Sequence, residues 1–168
     1  MFTGTLRFNL DPERKASDDE ILKLLNDAQL QTLIDNNSKG LDQEIAENGS
    51  NLSSGEKQLL CICRAILRKS KLVILDEATA NIDVITEQRI QSLISKKFDD
   101  ATMLVIAHRI NTIIQSDRVL VLSQGQVAEF DSPQVLMADP NSEFSQLIKD
   151  FKKKEQWLLS KLIGHYKT

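Results

Sequence analysis

The chain has 168 residues, 41% hydrophobic and 27% charged, which suits one compact globular domain with a real core and excludes a long disordered tract. A formal net charge of -3 and a pI near 5.4 leave no overall basic field to draw it to nucleic acid or an anionic membrane, so any phosphate binding must be local. The apolar runs "LVIL" and "MLVIA" are too short to span a bilayer, and the opening "MFTGTLRFNLDPERK" lacks the apolar core and cleavage site of a signal peptide. The chain itself reads as soluble.

The first clear element begins at Ser17. In "SDDEILKLLNDAQLQTLI" a Ser/Glu capping box precedes Ile21, Leu24, Leu25 and Ala28 at helical spacing, which predicts an amphipathic helix. The following "DNNSKGLDQEIAENGSN" is rich in Asn, Gly and acids and reads as irregular connecting chain. Ser53 and Glu56 then form a second capping box, opening a helix expected to run to about Lys69, with Arg64, Arg68 and Lys69 at the end that favours cations. Cys61 and Cys63, the only cysteines, point in different directions on that helix and cannot bridge each other without strain. This favours a reducing compartment. They also lack metal-ligand spacing, so helix packing is their expected role.

The middle of the chain predicts a strand, helix, strand unit. "KLVIL" ends in Asp76 and Glu77, "VITEQRIQSLISKKF" has helical spacing at Ile90, Leu93, Ile94 and Phe98, and "TMLVIA" ends at His108. A helical crossover joins parallel strands, so both carboxyl ends lie on one edge of the sheet and Asp76, Glu77 and His108 are expected to be neighbours. Then "RVLVLSQGQVAEF" reads as two strands around a Gln-Gly turn, and "DSPQVLMA" as a short helix with Ser132 as cap and Pro133 in its first turn. The end, "SEFSQLIKDFKKKEQWLLSKLIGHYKT", reads as a long helix with a basic patch and an apolar patch around Trp157 to Ile163. It suits packing on the domain or a partner, with a membrane-surface role as the alternative.

An isolated acidic pair at a strand end more often caps the next turn. At the carboxyl edge of a parallel sheet, where ligands bind, two successive carboxylates can divide labour: one holds Mg²⁺ through water, the other takes a proton from an attacking water. His108, alone more often structural, could there reach a γ-phosphate oxygen. Likewise "LSSGE" is ordinary capping language, yet a serine hydroxyl, free N–H groups at a glycine and the positive end of a helix also make an anion site. A phosphate loop needs Gly-Lys followed by Ser or Thr, and none of the six glycines precedes a lysine. The chain carries the hydrolytic half of a nucleotide site without its phosphate cradle.

In order and spacing, "LSSGE", "LVILDEATA", "NID" and "IAHRI" resemble the signature, Walker B, D-loop and switch-histidine motifs of ABC transporter nucleotide-binding domains. "FTGTLRFNLDPE" and "ENGSNLSSGEKQLLCICRAILR" look more narrowly like the C subfamily, the multidrug-resistance-associated type, and especially its second nucleotide-binding domain. The resemblance covers Phe2 to about Asp150. It implies an α/β fold, the C-terminal part of an ABC ATPase domain with a parallel sheet like that of P-loop NTPases, part of the helical subdomain, and no Walker A region. Residues 1–48 would belong to the helical subdomain, 49–150 to the signature helix and second half of the catalytic core, and 151–168 to a helical extension.

By position, the resemblance assigns Asp76 to Mg²⁺, Glu77 to the general base, His108 to the switch histidine and Asp83 to the D-loop aspartate that communicates across the dimer. Ser53, Ser54, Gly55 and Glu56 match the signature, which in this family contacts the γ-phosphate of ATP held by the opposite domain. Two positions depart from the usual Leu-Ser-Gly-Gly-Gln: Ser54 replaces the first glycine and Glu56 the glutamine. An acidic Glu56 could weaken phosphate binding unless its carboxylate turns back to the helix backbone. In the C subfamily the second domain's signature serves the weaker of two composite sites, where such degeneracy is expected.

The implied function is Mg²⁺-dependent ATP hydrolysis coupled to transmembrane transport. The implied partners are a second nucleotide-binding domain in a head-to-tail dimer and the transmembrane domains of a parent transporter, with no nucleic acid. The domain would sit on the cytoplasmic face of a membrane, with the spans and Walker A loop lying upstream. The 168-residue chain alone is expected to be inactive. The alternatives are a non-catalytic partner that lends its signature helix in trans, and a soluble ABC ATPase of the chromosome-maintenance or translation-factor kind. The opening segment and the absence of coiled-coil flanks speak against the latter.

Overall fold

The computed structural model describes residues 1–35, 38–76, 83–106 and 110–164, with the backbone alone at 84, 111 and 154–164. The chain divides into two compact units, Met1–Ile106 and Ala107–Thr168.

In the first unit the opening segment is more structured than its sequence suggests. Strand β1 (Gly4–Thr5) pairs antiparallel with β2 (Glu44–Ile45), which lies inside the stretch expected to be irregular. Helix α1 (Leu6–Leu10) follows, capped by the Thr5 hydroxyl accepting from the Phe8 N–H, with Leu6 and Leu10 buried. The Ser17 box opens α2 (Asp18–Asp27), which buries Ile21, Leu24 and Leu25 as the spacing predicts. The helix does not continue through the apolar residues beyond. Gln29 adopts a φ of 56°, the left-handed conformation that ends helices, and α3 (Gln31–Asp35) is a separate short turn.

Helix α4 (Ser54–Leu67) ends at the cap residue Arg68, close to the expected boundary. Its inward face carries Leu59, Leu60, Ile62 and Cys63, which join Leu6, Leu10, Ile21, Leu25 and Ile45 in one core. Arg64 does more than favour the carbonyl end. Its Nε donates to the Asn9 carbonyl at 2.6 Å and its guanidinium lies 5.5 Å from the Phe2 ring centroid. Asn9 is buried, and its side chain accepts from the Phe2 N–H and donates to the Phe2 and Thr5 carbonyls. A buried amide is tolerated only when satisfied in this way, and the network ties the start of the chain to α4.

Strand β3 (Leu72–Asp76) runs parallel to β4 (Thr102–Ile106), with Asp76 in register with Ile106. Between them α5 (Val84–Lys97) has Ile90, Leu93 and Ile94 buried, with Phe98 just beyond its end, the four positions its periodicity marks. Val73, Leu75 and Met103 face the core, whereas Leu72, Ile74, Leu104 and Ile106 on the other face are 58%, 60%, 47% and 51% exposed. Lys97 closes the unit by bonding Asp27 at 2.7 Å.

The second unit contains α6 (Ile110–Ile114), a helix its sequence does not announce, and then the hairpin of β5 (Val119–Ser123) and β6 (Gln126–Asp131). Gln124 and Gly125 have φ of 51° and 79°, the left-handed pair a two-residue hairpin turn requires. Helix α7 (Pro133–Ala138) starts from the Ser132 cap with Pro133 in its first turn, as expected. In α8 (Glu143–Gly164), Phe144 and Ile148 pack with Val119, Val121 and Leu136. The Glu129 carboxylate caps α8, accepting from the Ser142 hydroxyl and the Glu143 and Phe144 N–H groups at 2.9–3.0 Å. The expected apolar patch from Trp157 to Ile163 lies beyond the described side chains. Among the described residues, no helix is long and apolar enough to cross a membrane.

Candidate functional site

The sequence-marked residues described in the first unit lie at three element ends: the mouth of α4, the carboxyl end of β3 and the mouth of α5. At the mouth of α4 the capping box is complete. The Ser53 N–H and hydroxyl donate to Glu56 Oε2 at 2.8 and 2.7 Å, and the Glu56 N–H donates to Ser53 Oγ at 3.2 Å. Glu56 is thus turned back onto its own helix, its carboxylate engaged by the cap. The same bonds engage the Ser53 hydroxyl. What remains at the helix end are the N–H groups of Ser54 and Gly55, which the cap does not use, with a partial positive charge behind them.

At the carboxyl end of β3, Asp76 is exposed. Because the strands are parallel, this end and the end of β4 share one edge, as the crossover argument requires. Glu77 and His108, the two residues expected beside Asp76, lie outside the described residues. Among the described residues no three His, Cys, Asp or Glu side chains cluster as a metal site. Mg²⁺ does not require one, since it is commonly held by one or two carboxylates together with water and phosphate oxygens.

Asp83 is the cap of α5: its Oδ1 accepts from the Thr86 N–H at 2.9 Å. That backbone bond, joined by the Thr86 hydroxyl, holds the Asp83 carboxyl below the usual carboxylate range. The side chain therefore stays ionised at neutral pH. Thr86 is the residue that sequence reasoning missed. A Cβ built on Gly55 would lie 2.8 Å from its Cγ2 and 3.4 Å from its Oγ1, so the first turns of α4 and α5 touch. Asp83 three residues before a threonine is a readable cap signal; the contact with Gly55 is tertiary and has no local signal.

Of the two cysteines, Cys61 is exposed and Cys63 buried, both as free thiols. Burial pushes the Cys63 thiol up to about 12, which makes it inert packing as its sequence context suggests.

Residues 4–80 match the family model described as "ABC transporter". The chain is similar to ATP-binding cassette sub-family C member 4 of Homo sapiens, 46% identical over 155 residues, which cover 92% of this chain and 12% of that protein. It is also similar to the putative ABC transporter C family member 15 of Arabidopsis thaliana, 48% identical over 151 residues, covering 90% of this chain and 14% of the relative. Among solved structures, that of a bacterial Atm1-family ABC exporter with ATP bound matches with a TM-score of 0.76 and 33% identity, over 89% of this chain and 26% of that one. The chain thus spans a small part of the proteins it matches. Its α/β elements, motif order and relatives agree: it belongs to the ABC transporter family, as part of a nucleotide-binding domain of the C-subfamily kind.

Proposed function

We propose that this chain is the signature-and-Walker-B part of a domain that hydrolyses ATP to drive transport, and that the mouth of α4 caps a nucleotide held by a second nucleotide-binding domain. The observation that carries the reading is the helix opening itself. Its acid, Glu56, is folded back into the cap, while the N–H groups of Ser54 and Gly55 are left for an anion. The exposed apolar face of β3 and β4 supports the reading of a partial domain. Parallel sheets are covered on both faces, and Leu72, Ile74, Leu104 and Ile106 have no cover among the described residues. The occupant that fits is the remaining α/β segment of the same domain, since each relative is several times the length matched here.

In this reading Asp76 holds Mg²⁺, which when bound neutralises charge on the phosphates. Glu77 would accept a proton from the attacking water, and His108 would reach an oxygen of the terminal phosphate. Asp83 faces the partner domain, and transmembrane domains of the parent transporter place the assembly at the cytoplasmic face of a membrane. The chain by itself holds ATP weakly, because no glycine in it precedes a lysine and the phosphates lack their cradle.

The test is Glu77→Gln in a domain completed with the upstream segment of a C-subfamily relative, paired with a domain whose own site is disabled. General-base help of ~10²–10⁴-fold corresponds to roughly 3–5 kcal/mol of barrier. Turnover should fall by that factor while ATP still binds. Equal turnover in wild type and variant would leave Glu77 as no more than a strand-end residue.

A further inference from the structure

We infer that Thr86 is a positioning residue for the mouth of α4, and that position 55 is glycine because of Thr86. The inference rests on the proposed reading of α4 as the nucleotide-capping helix and adds what holds that helix end in place. Gly55 has ordinary helical backbone and lies in the first turn of α4, so no left-handed conformation calls for it. Glycine is a weaker helix former than alanine, so its presence in this turn points to a close approach at its missing side chain. The reason is visible: Gly55 is buried, and the nearest atoms to its missing Cβ all belong to Thr86, at 2.8, 3.4 and 3.6 Å.

Thr86 is not free to turn aside. It is β-branched and stiff about χ1, and both its N–H and its hydroxyl engage the Asp83 carboxylate. A methyl group at position 55 must therefore either break the Asp83 cap of α5 or push the first turn of α4 away. Asp83, Thr86 and Gly55 form a contact chain from the start of α5 to the amides that face the phosphate. Through it, the start of α5 and the mouth of α4 keep a fixed spacing.

Four proteins test this: wild type, Gly55→Ala, Thr86→Ser and the double variant. Each is measured for Mg-ATP-dependent association with a complete C-subfamily nucleotide-binding domain and for its melting temperature. Thr86→Ser keeps the hydroxyl and the amide but removes Cγ2, so alone it should leave both readings near wild type. Gly55→Ala should weaken ATP-dependent association about tenfold or more, as overpacking at a tight contact does. The double variant should recover to within about threefold of wild type, since neighbours in contact are not additive. A double variant as defective as Gly55→Ala, or a harmless Gly55→Ala, would overturn the inference. If the wild-type chain shows no ATP-dependent association, the nucleotide-capping reading fails on its own account. Melting temperature then decides the contact: rescue by Thr86→Ser sustains it, and additive losses overturn it.

Discussion

Helices α2 and α4 open with the same device. In each, a serine hydroxyl accepts from the amide three residues on, and the glutamate there reaches back to the serine amide. The residues between differ. At α2 they are Asp18 and Asp19, whose carboxylates already complement the positive end of the helix. At α4 they are Ser54 and Gly55, small and uncharged, and Gly55 is buried against Thr86. The hydroxyl of Ser53 is also held more tightly, at 2.7 Å from its glutamate against 3.4 Å for Ser17. A capping box therefore says only that a helix starts. Whether that start can serve an anion depends on the two residues the box encloses and on what packs beside them.

The two helices should respond alike where they share the core. Leu25 and Leu60 are both fully buried, and truncating either to alanine should cost ~2–5 kcal/mol in urea unfolding. A loss at one position only would show that the helices do not share a core. The caps should separate them. Ser17→Ala and Ser53→Ala should each cost roughly 0.5–2 kcal/mol of stability, but only Ser53→Ala should also alter ATP-dependent association with a complete domain. An equal effect of Ser17→Ala on association would erase the distinction.

The far ends sharpen the contrast by smaller amounts. Bonding to Lys97 outweighs burial and lowers the Asp27 carboxyl from its ordinary 3.8. Because the folded value is depressed, this stabilisation is present above about pH 3.8 and is lost as pH falls through the lower folded value. Asp27→Asn should cost at most ~1 kcal/mol at pH 7 for so exposed a pair, and the difference should close on acidification. A difference that stays constant down to pH 3 would contradict the ion pair. The smallest perturbation is chemical. Cys61 should react readily with a thiol reagent in the folded chain and Cys63 only on unfolding, so equal rates would deny that α4 buries one face.

Much of this was legible because it is local. Ser-x-x-Glu at 17 and 53, the spacing of Ile90, Leu93, Ile94 and Phe98, and the Gln-Gly turn each specify geometry within a few residues. The misses are tertiary or rest on unusual backbone. Gln29 breaks the α2 pattern by a left-handed conformation no turn dipeptide announces, and β2 is too short to show alternation before pairing with β1. Asn9 and Arg64 meet across most of the first unit, and Glu129 caps a helix that starts at Glu143. Of the site, the α4 box and Asp76 at the end of β3 are where local reasoning puts them, whereas Asp83 was marked only by the resemblance and its role as the α5 cap comes from the structure. Thr86 was silent because its significance is Gly55, a neighbour only in the folded chain.

The central claim, that the mouth of α4 serves a nucleotide held elsewhere, is tested most directly by giving α4 what α2 has. Ser54→Asp places a carboxylate in the first turn, as Asp18 does in α2. It leaves the capping box intact and should keep or slightly raise the melting temperature. Association with a complete C-subfamily nucleotide-binding domain, read by analytical ultracentrifugation with and without Mg-ATP, should be ATP-dependent for wild type. For Ser54→Asp it should be weaker by about tenfold or more, because a new negative charge faces the phosphate. Equal ATP-dependent association of the two proteins would contradict the account and leave α4, like α2, as a capped helix and nothing further.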